Sequence, residues 1–306
     1  MGKLISIVIP CYNEQEVIKL THDRMMKLDL GEDKKEIIYV DDGSRDDTLE
    51  ILKEFAKEDT SVKVISFSRN FGHQCAVSAG MEAAGGDAVV VIDADLQDPP
   101  EVIPQMIEKW KQGFDIVYGK RTKRKGESAF KKFTAFCYYR ILQMLGGQQI
   151  PTDTGDFRLL DKRVNDTLCS MKESNRFLRG MSGWAGFKST PVEFVREERA
   201  AGQTKYTFKK MMKLAGNGIT AFSDVPLKLP LYFGIPLMVL SIIYLIVSVI
   251  LCATIGFPYL HILFSLVFML ISGLFISSGV MGIYLSRVYD EAKGRPNYII
   301  DTKINL

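Results

Sequence analysis

The stretch VVVIDADLQDPP (Val89–Pro100) decides the fold of this chain. Four consecutive branched apolar residues run straight into three aspartates, a glutamine and two prolines. A strand buried on both faces reads as such a continuous apolar run. The charges at its end must then sit at the rim of a sheet, where carboxylates find water, a helix terminus or a metal.

The residues around it repeat the pattern. Strands are expected at LISIVIP (4–10), EIIYVDD (36–42), VKVISFS (62–68), DAVVVIDAD (87–95) and FDIVYG (114–119). Helices are expected between them, near 14–28, 47–58, 73–84 and 100–111. Strands separated by helical segments imply right-handed βαβ crossovers and an α/β, mostly parallel sheet with helices on both faces. Ligands in such sheets bind beyond the carboxyl ends of the strands. The polar residues obey that rule: PCYNE ends the first strand, DDGS the second, DADLQD the fourth and GKR the fifth. Taken singly, Asp46 or Asp47 reads as a helix cap and Asp98-Pro-Pro as a helix start. Taken together, the set points to a ligand site.

Asp93 and Asp95 are two apart, so in extended backbone they share a face, and Gln97 continues the row. Hard oxygen ligands of this kind suit Mg²⁺ or Mn²⁺, whose shells are completed by substrate phosphates and water. Past residue 120 the alternation breaks down. KRTKRK (120–125) reads as a solvated basic loop or as a contact for anionic headgroups, and SAFKKFTAFCYYRILQML as an amphipathic helix.

The chain has 306 residues, 25% of them charged, and a net charge of only +3, and no nucleic-acid partner is expected. Its five scattered cysteines and three separated histidines argue against a thiolate or imidazole zinc site and fit a reduced, cytosolic setting. Two stretches, Leu231–Ile255 and Leu260–Leu285, contain no Asp, Glu, Lys or Arg and are long enough to span a bilayer. The short GFPY between them makes a hairpin. Lys209, Lys210, Lys213 and Lys228 precede it and Arg287, Lys293 and Arg295 follow it, so the positive-inside rule places both ends in the cytoplasm. TFKKMMKLAGNGITAFSDVPLKL, which feeds the first span, is the better candidate for a helix lying in the lipid interface. MGKLISIVIP reads as a first strand rather than a signal peptide, and no lipid anchor is read.

SIVIPCYNE, YVDDGSRDDT, SRNFGHQCAVSAG, DADLQDPPE and VYGKR resemble, in order and spacing, the GT-A (Rossmann-like) domain of family 2 inverting glycosyltransferases. TGDFRLLDKRV, REERAAGQTKYTFKK, NGITAFSDVPLKL and YLSRVYDEAKGRPNYII narrow the resemblance to the polyprenyl-phosphate glycosyltransferases, such as bactoprenol glucosyltransferases and dolichyl-phosphate mannose synthases. The resemblance implies a GT-A domain over 1–200, interfacial helices over 201–229, a transmembrane hairpin over 230–286 and a cytoplasmic tail over 287–306. It implies a UDP-sugar donor, a polyprenyl phosphate acceptor, a lipid bilayer as surroundings and a homo-oligomer among the states relatives adopt. By motif match, Pro10, Tyr12, Glu14, Tyr39 and Asp41 line the nucleoside pocket. Asp93, Ala94, Asp95 and Gln97 meet the ribose, diphosphate and metal, with Asp95 and Gln97 as the direct ligands. Arg121, Arg199 and Lys205 neutralise the diphosphate, and Asp156 matches the aspartate assigned as catalytic in the glucosyltransferase branch. Dolichyl-phosphate mannose synthases lack an aspartate there, which favours that branch, with UDP-glucose ahead of UDP-N-acetylglucosamine.

Three other readings compete. A dinucleotide oxidoreductase lacks support because no GxGxxG follows the first strand. A processive polysaccharide synthase needs more spans and a QxxRW motif. A membrane-tethered nucleotide-binding protein without catalysis leaves the full set of acidic and cationic residues unexplained.

Overall fold

The computed structural model describes residues 2–123, 154–171, 173, 176–195 and 260–306. It divides into two compact units: Met1–Gln143, Gln148–Ala215 and Pro296–Leu306 form the first, Met144–Gly147 and Gly216–Arg295 the second. Among the described residues the first unit is built on an eight-stranded sheet of order β7-β5-β6-β4-β1-β2-β3-β8. The strands are β1 (Leu4–Cys11), β2 (Lys34–Asp41), β3 (Val62–Phe67), β4 (Ala88–Val91), β5 (Ile116–Lys123), β6 (Thr154–Asp161), β7 (Ser189–Val195) and β8 (Ile300–Ile304). The helices are α1 (Ile18–Met26), α2 (Thr48–Glu58), α3 (His73–Ala83), α4 (Ile103–Lys111), α5 (Lys162–Ser170) and α6 (Leu178–Trp184).

The central strands carry the apolar runs, and both faces are covered. Ile5, Ile7, Ile9, Ile37, Tyr39, Val90, Ile92, Phe157 and Leu159 join Ile18 and Met25 of α1, Leu52 of α2 and Met106 of α4 in one core. On the other face α3 lies so close to β1 that a Cβ on Gly80 would stand 2.2 Å from Val8 Cγ1. Any side chain there would push the helix off the sheet.

Three expectations change. The sheet is parallel through β3-β2-β1-β4, but β6 inserts antiparallel between β4 and β5. FDIVYG therefore does not lie beside the DAVVV strand; it pairs with β6 on one side and in parallel with β7 on the other. KRTKRK is not wholly a loop either, because β5 runs on to Lys123. Helix α1 begins at Ile18, four residues later than expected at Glu14, because residues 12–17 are occupied by loop contacts. Helix α4 starts through a 3-10 turn at Pro100–Val102, where proline lacks the N–H that a helix start leaves unpaired anyway.

The expected tail over 287–306 divides. Its first residues continue a helix, while Pro296–Leu306 belongs to the first unit. There β8 pairs antiparallel with β3. Tyr298 stacks on Phe67 at 4.8 Å and its hydroxyl donates to Glu82 of α3. Asn305 Nδ2 donates to the carbonyls of Ala56 and Val62 at 2.7 and 2.8 Å. Burial together with the Glu82 carboxylate pushes the Tyr298 phenol up, so it stays a donor.

In the second unit the described element is α7, Leu260–Ala292, 33 residues and about 50 Å long at 1.5 Å per residue. Over the residues whose side chains are described, no helix presents an apolar run long enough to cross a membrane. Several side chains between 260 and 276 are outside that set, and by sequence Leu260–Leu285 carries no Asp, Glu, Lys or Arg. The first expected span, the interfacial segments and the SAFKKFTAFCYYRILQML helix lie outside the described residues.

Candidate active site

The carboxyl ends of β1, β2, β3 and β4 form one edge, and their loops are stitched together by short-range bonds. Asn13, at φ 53°, is one of few non-glycine residues in the left-handed region, which asparagine tolerates. Its amide N–H donates to Ser44 Oγ at 2.9 Å, and its side-chain oxygen accepts from Arg45 N at 2.8 Å. Glu14 N donates to Thr48 Oγ1 and Asp47 N to Gln15 Oε1. Asp46 accepts from Thr48 N and Thr48 Oγ1, so of the two expected caps Asp46 does this work and Asp47 does not. A Cβ on Gly43, at φ +66°, would sit 2.5 Å from the Arg69 carbonyl carbon, which reserves this turn for glycine.

Tyr12 and Glu14 are half-buried at this edge and Pro10 is buried within β1. Asp41 is buried, accepting from Ser66 Oγ at 2.9 Å and from Ser44 N at 3.1 Å. Tyr39 does not reach the edge. It is fully buried on the α1–α2 face, its hydroxyl 3.0 Å from His22 Nδ1, and His22 stacks on Phe55 at 3.9 Å. Alternation places Tyr39 and Asp41 on the same face of β2; the difference is depth, because Asp41 ends the strand while Tyr39, two residues earlier, lies over the core beneath α1 and α2. The expected contact with the nucleoside is therefore corrected to a core role.

Strand β4 ends at Val91, and the acidic motif follows it as a turn rather than as extended strand. Burial still alternates, with Asp93, Asp95 and Gln97 half-buried and Ala94, Leu96 and Asp98 buried. Leu96 holds φ 56°, a strained value for a leucine. The Ala94 carbonyl is anchored by Thr21 Oγ1 of α1 at 2.7 Å, and Asp95 Oδ1 accepts from Gln97 N at 3.2 Å.

Asp98 and Arg121 form a pair that the sequence did not disclose. Arg121 Nη2 donates to both Asp98 oxygens at 3.0 and 3.2 Å, and Nε to Oδ1 at 3.3 Å. Asp98 thus pairs across the sheet with Arg121, whose charge is matched inside the protein rather than held out for a diphosphate. Gly155 makes room for this pair, since a Cβ there would lie 2.6 Å from Arg121 Nη2.

Antiparallel β6 is what brings Asp156 to the site. Its register pairs Val91 with Arg158, and carried two positions further it sets Asp93 opposite Asp156. Above them stands the first turn of α3. Asp42 accepts from Phe71 N at 2.7 Å and from Gly72 N at 2.9 Å, and Gly72 turns at φ +108° to start the helix at His73. His73 Nε2 lies 3.3 Å from Asp156 Oδ2 and 3.6 Å from Asp93 Oδ1. Arg179 of α6 takes Asp156 in a bidentate grip, Nε to Oδ1 at 2.9 Å and Nη2 to Oδ2 at 3.1 Å. Gln74 Nε2 is 3.4 Å from Oδ2.

The charges follow from these neighbours. Burial pushes the Asp156 carboxyl up, but the Arg179 guanidinium and His73 outweigh it and hold the group well below the usual carboxylate range. Burial would lower His73, yet Asp156 and Asp93 raise it to about 9, so it is an imidazolium at neutral pH. Asp93, burdened by burial and by Asp156, Asp95 and Asp98 and relieved in part by His73, rises to about 6. Its Oδ1 is buried without a hydrogen-bond donor. Such an oxygen is one that a ligand hydroxyl or a nearby cation would satisfy.

Among the described residues no group of three or more His, Cys, Asp or Glu forms a ready metal cage. Asp95 and Gln97 supply three oxygens at most, which fits Mg²⁺ or Mn²⁺ with the remaining positions left to phosphate and water. Arg199 and Lys205 lie outside the described residues. His73, Gln74 and Arg179 were missed by the sequence reading. His73 stood within the quoted SRNFGHQ, at a strand-to-helix junction on the ligand edge, and the strand-end rule applied there would have found it. Arg179 carried no such signal, because only the path from β6 through α6 delivers it.

An α/β sheet with an acidic turn after its fourth strand, facing an ionised aspartate, has the form of a glycosyltransferase domain. Glucosyl-3-phosphoglycerate synthase of Mycobacterium tuberculosis, solved with Mn²⁺, uridine diphosphate and glucosyl-3-phosphoglycerate, shares this fold. Its TM-score is 0.53 at 21% identity, covering 72% of this chain and 78% of that one. The family glycosyl transferase family 2 matches residues 6–169, and the chain belongs to it. It is a glycosyltransferase. It is 50% identical to the uncharacterized glycosyltransferase YkcC of Bacillus subtilis, over 98% of this chain and 94% of that one. It is 39% identical to the prophage bactoprenol glucosyl transferase homolog of Escherichia coli, over 97% of this chain and 98% of the other. The same identity relates it to the bactoprenol glucosyl transferase of Shigella phage SfII, over 97% of each chain.

Proposed function

We propose that this glycosyltransferase moves a sugar, glucose foremost, from a uridine diphosphate donor to polyprenyl phosphate at the cytoplasmic face of a membrane. The observation that carries this reading is the reach of the similarity to bactoprenol glucosyl transferases: it covers 97% of the chain, well beyond the 6–169 family match. In a bacterial cell the acceptor is undecaprenyl phosphate, and UDP-N-acetylglucosamine is the second donor to try.

In this reading Tyr12, Glu14 and Asp41 surround the nucleoside, and Asp93 with the backbone at Ala94 meets the ribose and diphosphate. Asp95 and Gln97 hold Mg²⁺ or Mn²⁺, which when bound offsets the charge that grows on the departing diphosphate. Arg199 and Lys205 reinforce it. The acceptor is a phosphate monoester with a second pKa near ~6, so at neutral pH it is largely dianionic and needs no base. A phosphate oxygen attacks the anomeric carbon, the bond to the donor's β-phosphate breaks, and the nucleoside diphosphate leaves with the electron pair from the opposite face. The configuration inverts and no proton is transferred. Asp156, gripped by Arg179 and His73, is too weak a base to compete; its part is to orient the sugar or the acceptor.

The membrane supplies the acceptor. Residues 231–255 and 260–285 form the proposed hairpin, and Val267, Leu270, Leu274, Met281 and Leu285 of α7 are exposed apolar side chains that lipid would cover. The test is a donor screen with purified full chain in detergent, polyprenyl phosphate, and Mn²⁺ or chelator. Label from the sugar is expected in the lipid extract. Label in long polymer, or donor bound without transfer, would overturn the reading.

A further inference from the structure

Two arginines flank Asp156, and they differ in what they hold. Arg158 is 6% exposed and directs its guanidinium to the carbonyls of Gly155, Asp156 and Leu178 and to Ser182 Oγ. It stays 3.9 Å from the nearest Asp156 carboxylate oxygen. Arg158 is a truss: it ties β6 to the first turn of α6. Gln74 adds a second tie, its Oε1 accepting from Leu178 N at 3.2 Å. The next residue, Arg179, is presented by that fixed turn. Its side chain is 26% exposed, and its fork closes on both oxygens of Asp156, whose side chain is 9% exposed.

A carboxylate swings easily about its last torsion, which has broad, shallow wells. Here Oδ1 is taken by Arg179 Nε, while Oδ2 meets Arg179 Nη2, His73 and Gln74, so the plane of the group is set from two helices. A planar guanidinium does this where an ammonium, a single point charge, does not. The same cation offsets a negative charge that would otherwise repel any incoming anion.

We propose that Arg179 is a positioning residue of the transfer reaction, holding the Asp156 carboxylate in one orientation toward the reacting sugar and offsetting its charge so that an anionic acceptor can approach. This rests on the functional reading above and deepens it. Arg179 acts through Asp156, so its loss matters only while Asp156 is present.

The test uses the full chain in detergent with uridine diphosphate glucose and polyprenyl phosphate. Arg179→Met is expected to lower kcat roughly 100-fold while the donor KM and the binding of uridine diphosphate with Mn²⁺ stay within about threefold. Asp156→Asn should fall by a similar factor, and the double variant by no more than about threefold beyond Asp156→Asn alone. Guanidinium ion added to Arg179→Ala should restore part of the turnover, and should restore none to Asp156→Asn. If Arg179→Met fails to fold, Arg179→Lys serves: it keeps a charge without the fork, and at least a tenfold loss of kcat is expected. Wild-type turnover in a folded Arg179→Met or Arg179→Lys, or losses that multiply in the double variant, would overturn the inference alone. A wild type that passes no sugar to the lipid from any donor overturns the functional reading, and this inference with it.

Discussion

Replacing Arg121 with methionine removes one half of a buried ion pair. The Asp98 side chain is 2% exposed, and Arg121, itself 15% exposed, is a cation on it at 3.0 Å. Methionine fills much of the same volume, so the cost comes from a buried carboxylate that loses this guanidinium rather than from a cavity. Breaking such a pair from one side costs about 3–5 kcal/mol. At roughly 2–4 °C per kcal/mol for a unit of this size, the melting temperature should fall by about 6–20 °C. Asp98→Asn combined with Arg121→Met removes both charges of the pair and should recover part of that loss, a coupling of at least about 1 kcal/mol. The assay is thermal unfolding of the purified chain in detergent, with donor binding measured on the same samples below the melting range. Binding per folded molecule should change little. A melting temperature within 2 °C of wild type, with donor affinity falling tenfold or more, would refute the argument. It would return Arg121 to the diphosphate.

Three further outcomes are expected. Asp156→Asn should leave nucleoside diphosphate binding intact and cut turnover roughly 100-fold, a loss made in the transition state rather than on binding; stopped-flow or steady-state kinetics read both. Chelation should abolish transfer, Mn²⁺ or Mg²⁺ should restore it, and Asp95→Asn should raise the metal concentration needed for half-maximal rate by tenfold or more. The third is a stability profile. Burial raises the Glu36 carboxyl, but the Lys63 ammonium at 2.8 Å, Ser6 Oγ and Gly85 N outweigh it and hold the group below its ordinary 4.5. A depressed carboxylate contributes stability that is present above its unfolded value and lost as pH falls through the folded one. Acid should therefore weaken the wild type below about pH 4.5, and Glu36→Gln should be less stable at pH 7 yet flatter over that acid range; equal slopes in urea titrations at pH 3.5 and 6 would contradict this.

The fold was legible where a single rule governs. Continuous apolar runs in β1, β2 and β4 announce strands covered on both faces, and glycine and aspartate at their ends announce turns. The edge carrying Asp93, Asp95 and Gln97 followed from the same pattern. What stayed hidden depends on partners distant in sequence. TGDFRLLD alternates no differently from a parallel strand, and nothing local says that it enters antiparallel between β4 and β5. Tyr39 and Asp41 sit two apart at a strand end, and only the depth of the core beneath Tyr39 separates them. Asp98 before two prolines reads as a cap until Arg121, two strands away in the sheet, claims it. Arg179 is invisible for the same reason: its role is set by where α6 starts, which Arg158 and Gln74 decide.

The strand β8 has a consequence for how the molecule is made. It follows α7 in the chain, yet it completes the edge of a sheet whose other strands all precede α7. A ribosome therefore delivers the greasy helix before it delivers the segment bracing α3, the helix that presents His73. The border of the catalytic sheet at β3 therefore stays open until every residue of α7 has been synthesised.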